Sequence, residues 1–77
     1  MTNIFNLTIG SRATIIGYSS NSSFSERLKE FGLIPGTIFT LIRQAPLGGP
    51  IEIKYGESRI ALRTDSNNTI LVEPLIP

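Results

Sequence analysis

Turn-forming residues divide the second half of this sequence into pieces that are each short enough to be a β-strand. Pro35 and Gly36 have the order of a type II turn, in which proline presets the first φ and glycine accepts the positive one. Residues 46–50, Pro-Leu-Gly-Gly-Pro, make a second break, and residues 56–57 predict a tight hairpin turn. Residues 64–68 form a polar turn. A long helix cannot fit between these breaks.

The segments that flank these turns have the apolar alternation of strands. Ile51, Ile53 and Tyr55 alternate with polar residues, which predicts one inward face, and Ile60 and Leu62 do the same. The third strand has apolar residues on both faces, which is typical of a central or bent strand. The five predicted strands are 13–18, 37–45, 51–55, 59–63 and 69–73, and residues 3–7 are predicted to be an extended cover or a loose turn.

One short helix is predicted after the first strand, over Phe24–Phe31. Ser23 and Glu26 have the spacing of a capping box at its start. Gly32 follows the last helical residue, where a left-handed conformation is favourable. A helix of this length is unstable alone in water, so we expect it to be stabilised by packing on the sheet.

The apolar residues of this helix form a single stripe at helical spacing. Phe24, Leu28 and Phe31 stand at positions i, i+4 and i+7. Because the helix needs burial to exist, we expect the two phenylalanines to belong to the core. Leu28 lies at the edge of the stripe and is the helix residue that we predict to contact a partner.

Five short strands and one helix predict a mainly β fold in a single domain, residues 1–77. A sheet of five strands with both edges bare invites aggregation, so we expect it to close into a small five-stranded barrel. A domain of this size buries only about 60% of its unfolded surface. Its core is therefore thin, and no disulfide can brace it because the sequence contains no cysteine.

The chemistry available to this chain is narrow because it lacks both cysteine and histidine. No thiolate nucleophile, imidazole base or usual zinc site is possible. Glu26 and Glu30 share a helical face, but two carboxylates without a third ligand make a poor iron site. We therefore predict no catalytic residue, no metal site and no cofactor. The sequence also shows no export signal and no apolar run long enough to span a membrane, which favours the cytoplasm.

Five segments, in order, resemble motifs of the FeoA family, the small cytoplasmic proteins of bacterial ferrous iron uptake. They are residues 7–18, 28–36 (LKEFGLIPG), 43–53 (RQAPLGGPIEI), 60–63 (IALR) and 70–72 (ILV). Two departures from the family pattern are visible. Gly49 stands where the family often has aspartate, and the turn at residues 64–68 is unusually rich in asparagine and serine.

The resemblance implies an SH3-like barrel and a non-enzymatic accessory role in ferrous iron uptake. The implied partner is the cytoplasmic part of FeoB, a GTPase-coupled membrane transporter whose assembly or activity the protein would modulate. Such a protein would be cytoplasmic, recruited to the inner face of the membrane through its partner, with no insertion of its own. Self-association is compatible with the resemblance, and transition metal ion binding is a family property for which the sequence offers no ligand set.

The loop at residues 46–50 is the second predicted contact with a partner. Leu47 is an apolar residue at a loop tip, which a plain turn does not need. Gly48 and Gly49 allow another backbone to approach closely. The alternative is that the segment is only a hairpin connection.

A shallow basic patch is the third predicted feature. Lys54, Arg59 and Arg63 fall on the outward faces of neighbouring strands, where Glu52 and Glu57 partly neutralise them. The patch suits an acidic partner surface, for which Arg63 is the predicted contact, or a solvated sheet face. The alternative function is an SH3-like or Sm-like nucleic-acid-binding module, although the net charge of +1 is low for that class and no nucleic acid is expected.

Overall fold

The computed structural model describes residues 2–46, 49–64 and 69–75. Its elements in chain order are β1 (Thr2–Asn3), a 3-10 turn (Ile4–Asn6), β2 (Arg12–Tyr18), α1 (Ser23–Glu30), β3 (Ile38–Gln44), β4 (Ile51–Tyr55), β5 (Ser58–Leu62) and β6 (Ile70–Pro74). The strands form one antiparallel sheet in the order β1-β6-β2-β3-β4-β5. The mainly β class and the single helix after the first long strand are confirmed. Within the described ranges, no helix has the length and apolar character of a membrane span.

The predicted strand count and the predicted barrel were wrong. A sixth strand exists because Thr2 and Asn3 pair with β6, where Thr2 lies opposite Val72. The sheet does not close, since β1 and β5 stand at its two ends. The prediction assumed that bare edges require closure, whereas a very short edge strand is another solution. With two residues, β1 blunts one edge, and β5 is left as the longer open edge.

Glycine at positive φ defines the two predicted turns that lie within the described residues. Gly36 has φ +97°, and the Thr37 amide donates to the Ile34 carbonyl at 3.0 Å. That is a type II turn, as predicted. Gly56 has φ +59° in the two-residue loop between β4 and β5. Alanine at either glycine would be strained, because side chains with a Cβ rarely adopt positive φ.

The core lies on one face of the sheet, where the alternation predicted for β4 and β5 is largely confirmed. On β3 the inward residues are Phe39 and Leu41, while Ile38 faces outward and is 45% exposed. A bulge follows Leu41 and shifts the pairing with β4 before Arg43. The buried apolar residues are Ile4, Leu7, Ala13, Ile15, Leu28, Leu33, Phe39, Leu41, Ile51, Ile53, Leu62, Ile70 and Val72.

The helix begins one residue earlier than predicted, and its capping box uses different residues. Ser22 is the N-cap, and its hydroxyl accepts from the Ser25 amide at 3.4 Å. The Ser25 hydroxyl in turn accepts from the Ser22 amide at 2.9 Å. The predicted pair of Ser23 and Glu26 was wrong because a run of serines offers several equivalent caps. The start at Ser22 is the one that turns Ser25 into the core, where it is only 1% exposed.

The end of the helix is a Schellman motif, as the glycine predicted. Gly32 has φ +93°, and its amide donates to the Lys29 carbonyl at 3.0 Å. The Leu33 amide donates to the Leu28 carbonyl at 3.0 Å. These two bonds satisfy carbonyls that the helix leaves unpaired, and they turn the chain toward Leu33, which is fully buried.

The assignment of the helix stripe was reversed. Leu28, predicted at an interface, is 5% exposed and belongs to the core, whereas Phe31, predicted in the core, is 55% exposed. Phe24 is partly buried. The reason is Ser25, which shares a face with Leu28 and is small enough to let the helix approach the sheet. The inward direction therefore runs through Ser25 and Leu28, and the two phenylalanines lie beside it.

The Tyr18 hydroxyl connects the turn after the helix to the sheet, and it makes the free energy of unfolding depend on pH in the alkaline range. Tyr18 donates to the Leu33 carbonyl at 2.6 Å. Burial raises the pKa of Tyr18 to about 12, with a smaller contribution from Tyr55. The folded protein thus holds this proton more tightly than the unfolded chain, whose tyrosine pKa is about 10. We expect full stability below pH ~10 and a progressive loss as the pH rises toward ~12.

Urea unfolding at several alkaline pH values measures this loss. Tyr18→Phe should be less stable than wild type near neutral pH, by about 1 kcal/mol for the lost hydrogen bond, and should decline less steeply with rising pH. Tyr55→Phe is the matched control, since it removes one hydroxyl and keeps Tyr18. Equal slopes for the two variants would contradict the assignment.

Candidate docking groove

An open groove runs between the helix and the edge of the sheet, and we call it the α1–β5 groove. Its volume is about 310 Å³. The residues that line it are Phe24, Arg27, Leu28, Phe31, Ile60, Leu62 and Arg63. The first four stand at helix positions i, i+3, i+4 and i+7, so one helical face supplies them all. Of the other three, two come from β5 and Arg63 follows its last residue directly.

Tyrosine hydrogen bonds fix the helix that forms one wall of the groove. The Tyr55 hydroxyl donates to the Phe31 carbonyl at 2.9 Å. Tyr18 holds the Leu33 carbonyl, and its ring meets Phe24 edge-on with centroids 6.4 Å apart. Both phenylalanines of the wall are therefore positioned through neighbouring tyrosines. The groove is a preformed surface, which lowers the entropy cost of binding.

The floor of the groove is apolar and its wall carries an exposed aromatic ring. Leu28 and Leu62 are buried, Ile60 is half-buried and Phe31 is exposed. Phe31 extends the apolar surface of the floor to the rim of the groove. Aromatic residues in pockets of this kind are typical anchors of protein interfaces.

The described part of the groove lining carries positive charge. Its charged residues are Arg27 and Arg63. Neither forms an ion pair with another described residue, whereas Glu26 pairs with Lys29 at 3.6 Å and Glu52 with Arg59 at 3.4 Å. The groove thus offers two guanidinium groups suited to carboxylates. Its described lining contains no nucleophile–base pair.

Two of the five predicted site residues meet in this groove. Leu28 forms part of its floor, and Arg63 lies at the end of β5. Leu28 is only 5% exposed, and its predicted contact with a partner stays a prediction. Arg63 is exposed and lies beyond the end of β5, whereas Lys54 and Arg59 face each other across the β4–β5 pair.

The loop between β3 and β4 is described only in part. Leu47 and Gly48 lie outside the described residues, so their predicted role stays a prediction. Gly49 has a clear packing reason to be glycine, because a Cβ there would lie 2.6 Å from the Ala45 Cβ. Its amide also donates to the Pro46 carbonyl at 3.2 Å. This glycine closes the loop, and whether it contacts a partner stays a prediction.

Sequence reasoning missed five residues of the groove. Arg27, Ile60 and Leu62 were assigned no binding role, and Phe24 and Phe31 were placed in the core. The available signal was Ser25, since a small residue three positions before Leu28 marks the face that approaches the sheet. Among the described residues, no cluster of three or more carboxylates, histidines or cysteines is placed to hold a metal ion.

Comparison with known proteins gives one family and several structures of the same fold. The model of the FeoA domain matches residues 3–74. The solution structure of an FeoA protein from Chlorobium tepidum is 28% identical, with a TM-score of 0.85, covering 97% of this chain and 71% of that one. Iron(II) transport protein A from Clostridium thermocellum is 31% identical, with a TM-score of 0.82, covering 96% and 46%. An FeoA-like protein from Clostridium acetobutylicum is 26% identical, with a TM-score of 0.81, covering 99% and 88%.

Proposed function

This chain belongs to the FeoA domain family, and from that membership we propose that it is a non-enzymatic accessory protein of bacterial ferrous iron uptake. Its partner would be the cytoplasmic part of the FeoB transporter. The protein would work at the inner face of the membrane, held there by that partner. One solved relative is named iron(II) transport protein A, which supports the assignment to this transport system.

The observation that carries the docking proposal is the α1–β5 groove. It combines an apolar floor, an exposed Phe31 and two arginines without an ion-pair partner among the described residues. Those are the components of a protein interface: an aromatic anchor beside a pocket, with charge at the rim. Among the described residues, the groove lining offers no catalytic pair, and we infer that the output of this protein is a bound complex.

Modulation would follow from binding one state of the transporter more tightly than another. A ligand shifts a conformational equilibrium only by its difference in affinity for the two states. A transporter coupled to GTP hydrolysis passes through nucleotide-free, GDP-bound and GTP-bound states. We therefore expect the affinity of this chain for the transporter to differ among these states.

Calorimetric titration of the folded chain against the soluble cytoplasmic domain of FeoB tests this proposal. Separate titrations use the nucleotide-free domain, GDP and a non-hydrolysable GTP analogue. We expect saturable binding and at least one state that differs in affinity by about fivefold or more, the lower range of ordinary allosteric coupling. Absence of binding in all three states would refute the docking proposal. Equal affinity in all three states would refute the proposal that the protein modulates the transporter.

A further inference from the structure

The outer edge of β5 is an open hydrogen-bonding edge beside the groove. β5 ends the sheet and pairs with β4 alone among the described strands. Tyr55 and Ser58 face each other across a two-residue loop, and such flanking residues form the first hydrogen-bonded pair of a hairpin. Because hydrogen-bonded and non-hydrogen-bonded pairs alternate, the backbone groups of Arg59 and Ala61 point away from β4. No other described strand pairs with them, so they can serve as donors and acceptors for an added strand.

The side chains next to this edge match one face of such a strand. Ile60 and Leu62 point into the groove, and Phe24 and Phe31 stand across from them on the helix. A strand added to β5 would lie about 4.8 Å from it. Every second side chain of that strand would then enter the groove, where an apolar residue is required.

The charged residues around β5 indicate which side chains the added strand carries at its other positions. Arg27 and Arg63 line the groove, and Arg59 lies on the opposite face of β5. No carboxylate lines the groove among the residues that the structure describes. A second copy of this chain fits poorly, because antiparallel pairing of two β5 strands would bring the Arg59 and Arg63 of each chain together. Acidic residues between the apolar ones would lie on the face of β5 that carries Arg59, where carboxylates match its guanidinium group.

We propose that the α1–β5 groove binds an extended segment of the partner that alternates apolar and acidic residues and adds to β5 as a further antiparallel or parallel strand. This inference rests on the docking function proposed above and specifies the chemistry of the docked segment. Backbone hydrogen bonds to Arg59 and Ala61 provide part of the affinity, as in other strand additions to sheet edges. The pockets beside Phe31 and the arginines provide the selectivity.

The probe for this inference is a synthetic peptide of about eight residues, the length of an ordinary strand, in which valine alternates with aspartate. A matched peptide has lysine at each aspartate position. We expect the aspartate peptide to bind at least about tenfold more tightly, as complementary charge requires. In amide NMR spectra of the labelled chain, binding should shift the Arg59 and Ala61 signals and slow their hydrogen exchange.

Charge reversal tests the arginines. The double variant Arg59→Glu with Arg63→Glu should invert the preference and bind the lysine peptide better, because both residues alternate with Ile60 and Leu62 and so share the face of the aspartates. Arg12→Glu with Arg43→Glu is the control, since both residues are exposed, lie on β2 and β3 and give the same change in net charge. An unchanged preference in the variant of Arg59 and Arg63 would overturn the acidic part of the proposal.

Backbone methylation tests strand addition itself. Two copies of the aspartate peptide carry N-methyl groups, one on the odd and one on the even amides. Only one set of amides faces β5 in an added strand, so one copy should lose binding and the other should keep it. Equal binding by both copies, or unmoved Arg59 and Ala61 signals, would overturn strand addition.

The remaining outcomes separate this inference from the docking function. If the cytoplasmic domain of FeoB binds and the aspartate peptide does not, the peptide chemistry is wrong and docking stands. If the peptide binds and that domain does not, the docking function fails at its stated partner. A chain that is dimeric in solution, with its β5 amides already protected, would assign the edge to a second copy and overturn the inference.

Discussion

Replacing Phe39 with alanine is expected to lower the free energy of unfolding by about 3–5 kcal/mol. Phe39 is the second residue of β3, is 1% exposed and is the largest fully buried side chain of the described core. Domains have roughly 0.05–0.15 kcal/mol of stability per residue, or about 4–12 kcal/mol for this length. The substitution therefore removes a large share of the total. Urea unfolding followed by circular dichroism measures it.

Ile38→Ala is the matched control, because Ile38 is the neighbouring residue on the same strand and faces outward. We expect a change of less than about 1 kcal/mol, as is usual for exposed positions. If Phe39→Ala does not fold at all, Phe39→Leu gives a measurable version, with a loss of about 1–2 kcal/mol. A register shifted by one residue would exchange the two outcomes, so a larger loss at Ile38 would refute the pairing of β3.

Replacing Phe31 with aspartate should abolish most partner binding while leaving the fold intact. Phe31 is the exposed aromatic residue of the α1–β5 groove, and its backbone carbonyl is held by Tyr55 whatever its side chain. Truncating an interface anchor typically costs about 2 kcal/mol or more, which is about 30-fold in affinity. We expect at least that loss in titrations against the cytoplasmic domain of FeoB.

Ile9→Asp controls for the added charge and the lost apolar surface. Ile9 is 57% exposed, close to the 55% of Phe31, and lies in the turn before β2, outside the groove lining. Both variants should unfold within about 0.5 kcal/mol of wild type, as exposed substitutions do. Equal losses of binding in the two variants would mean that the groove has no special role, and an unaffected Phe31→Asp would exclude it as the docking site.

The strands and turns were predictable because their signals are local. Pro35 and Gly36 fix a turn by their own dihedral angles, and the alternation around Ile51 and Ile53 defines an inward face without reference to the rest of the chain. The Schellman ending at Gly32 is local for the same reason. Nothing beyond neighbouring residues was needed for these elements.

The groove was harder to predict because it depends on how two elements approach each other. The inward face of the helix was set by a small polar residue, Ser25, which an apolar pattern does not count. Phe31 is exposed because the inward face runs through Ser25 and Leu28, and Phe31 lies beside that face, directly after the last residue of the helix. Strand β1 escaped prediction for a related reason, since two residues carry no periodicity and pair with β6 only after the sheet exists.

The inequality of the two sheet edges limits how this protein can assemble. Unlimited growth of a sheet needs two open sides, so that each new molecule presents a fresh surface to the next. Among the described strands, Thr2–Asn3 is too short to template another strand, and Ser58–Leu62 is the longer of the two edges. Once a partner strand pairs with that edge, no comparable edge is left for a further molecule. The protein can expose pairing groups to a partner without seeding fibres of itself.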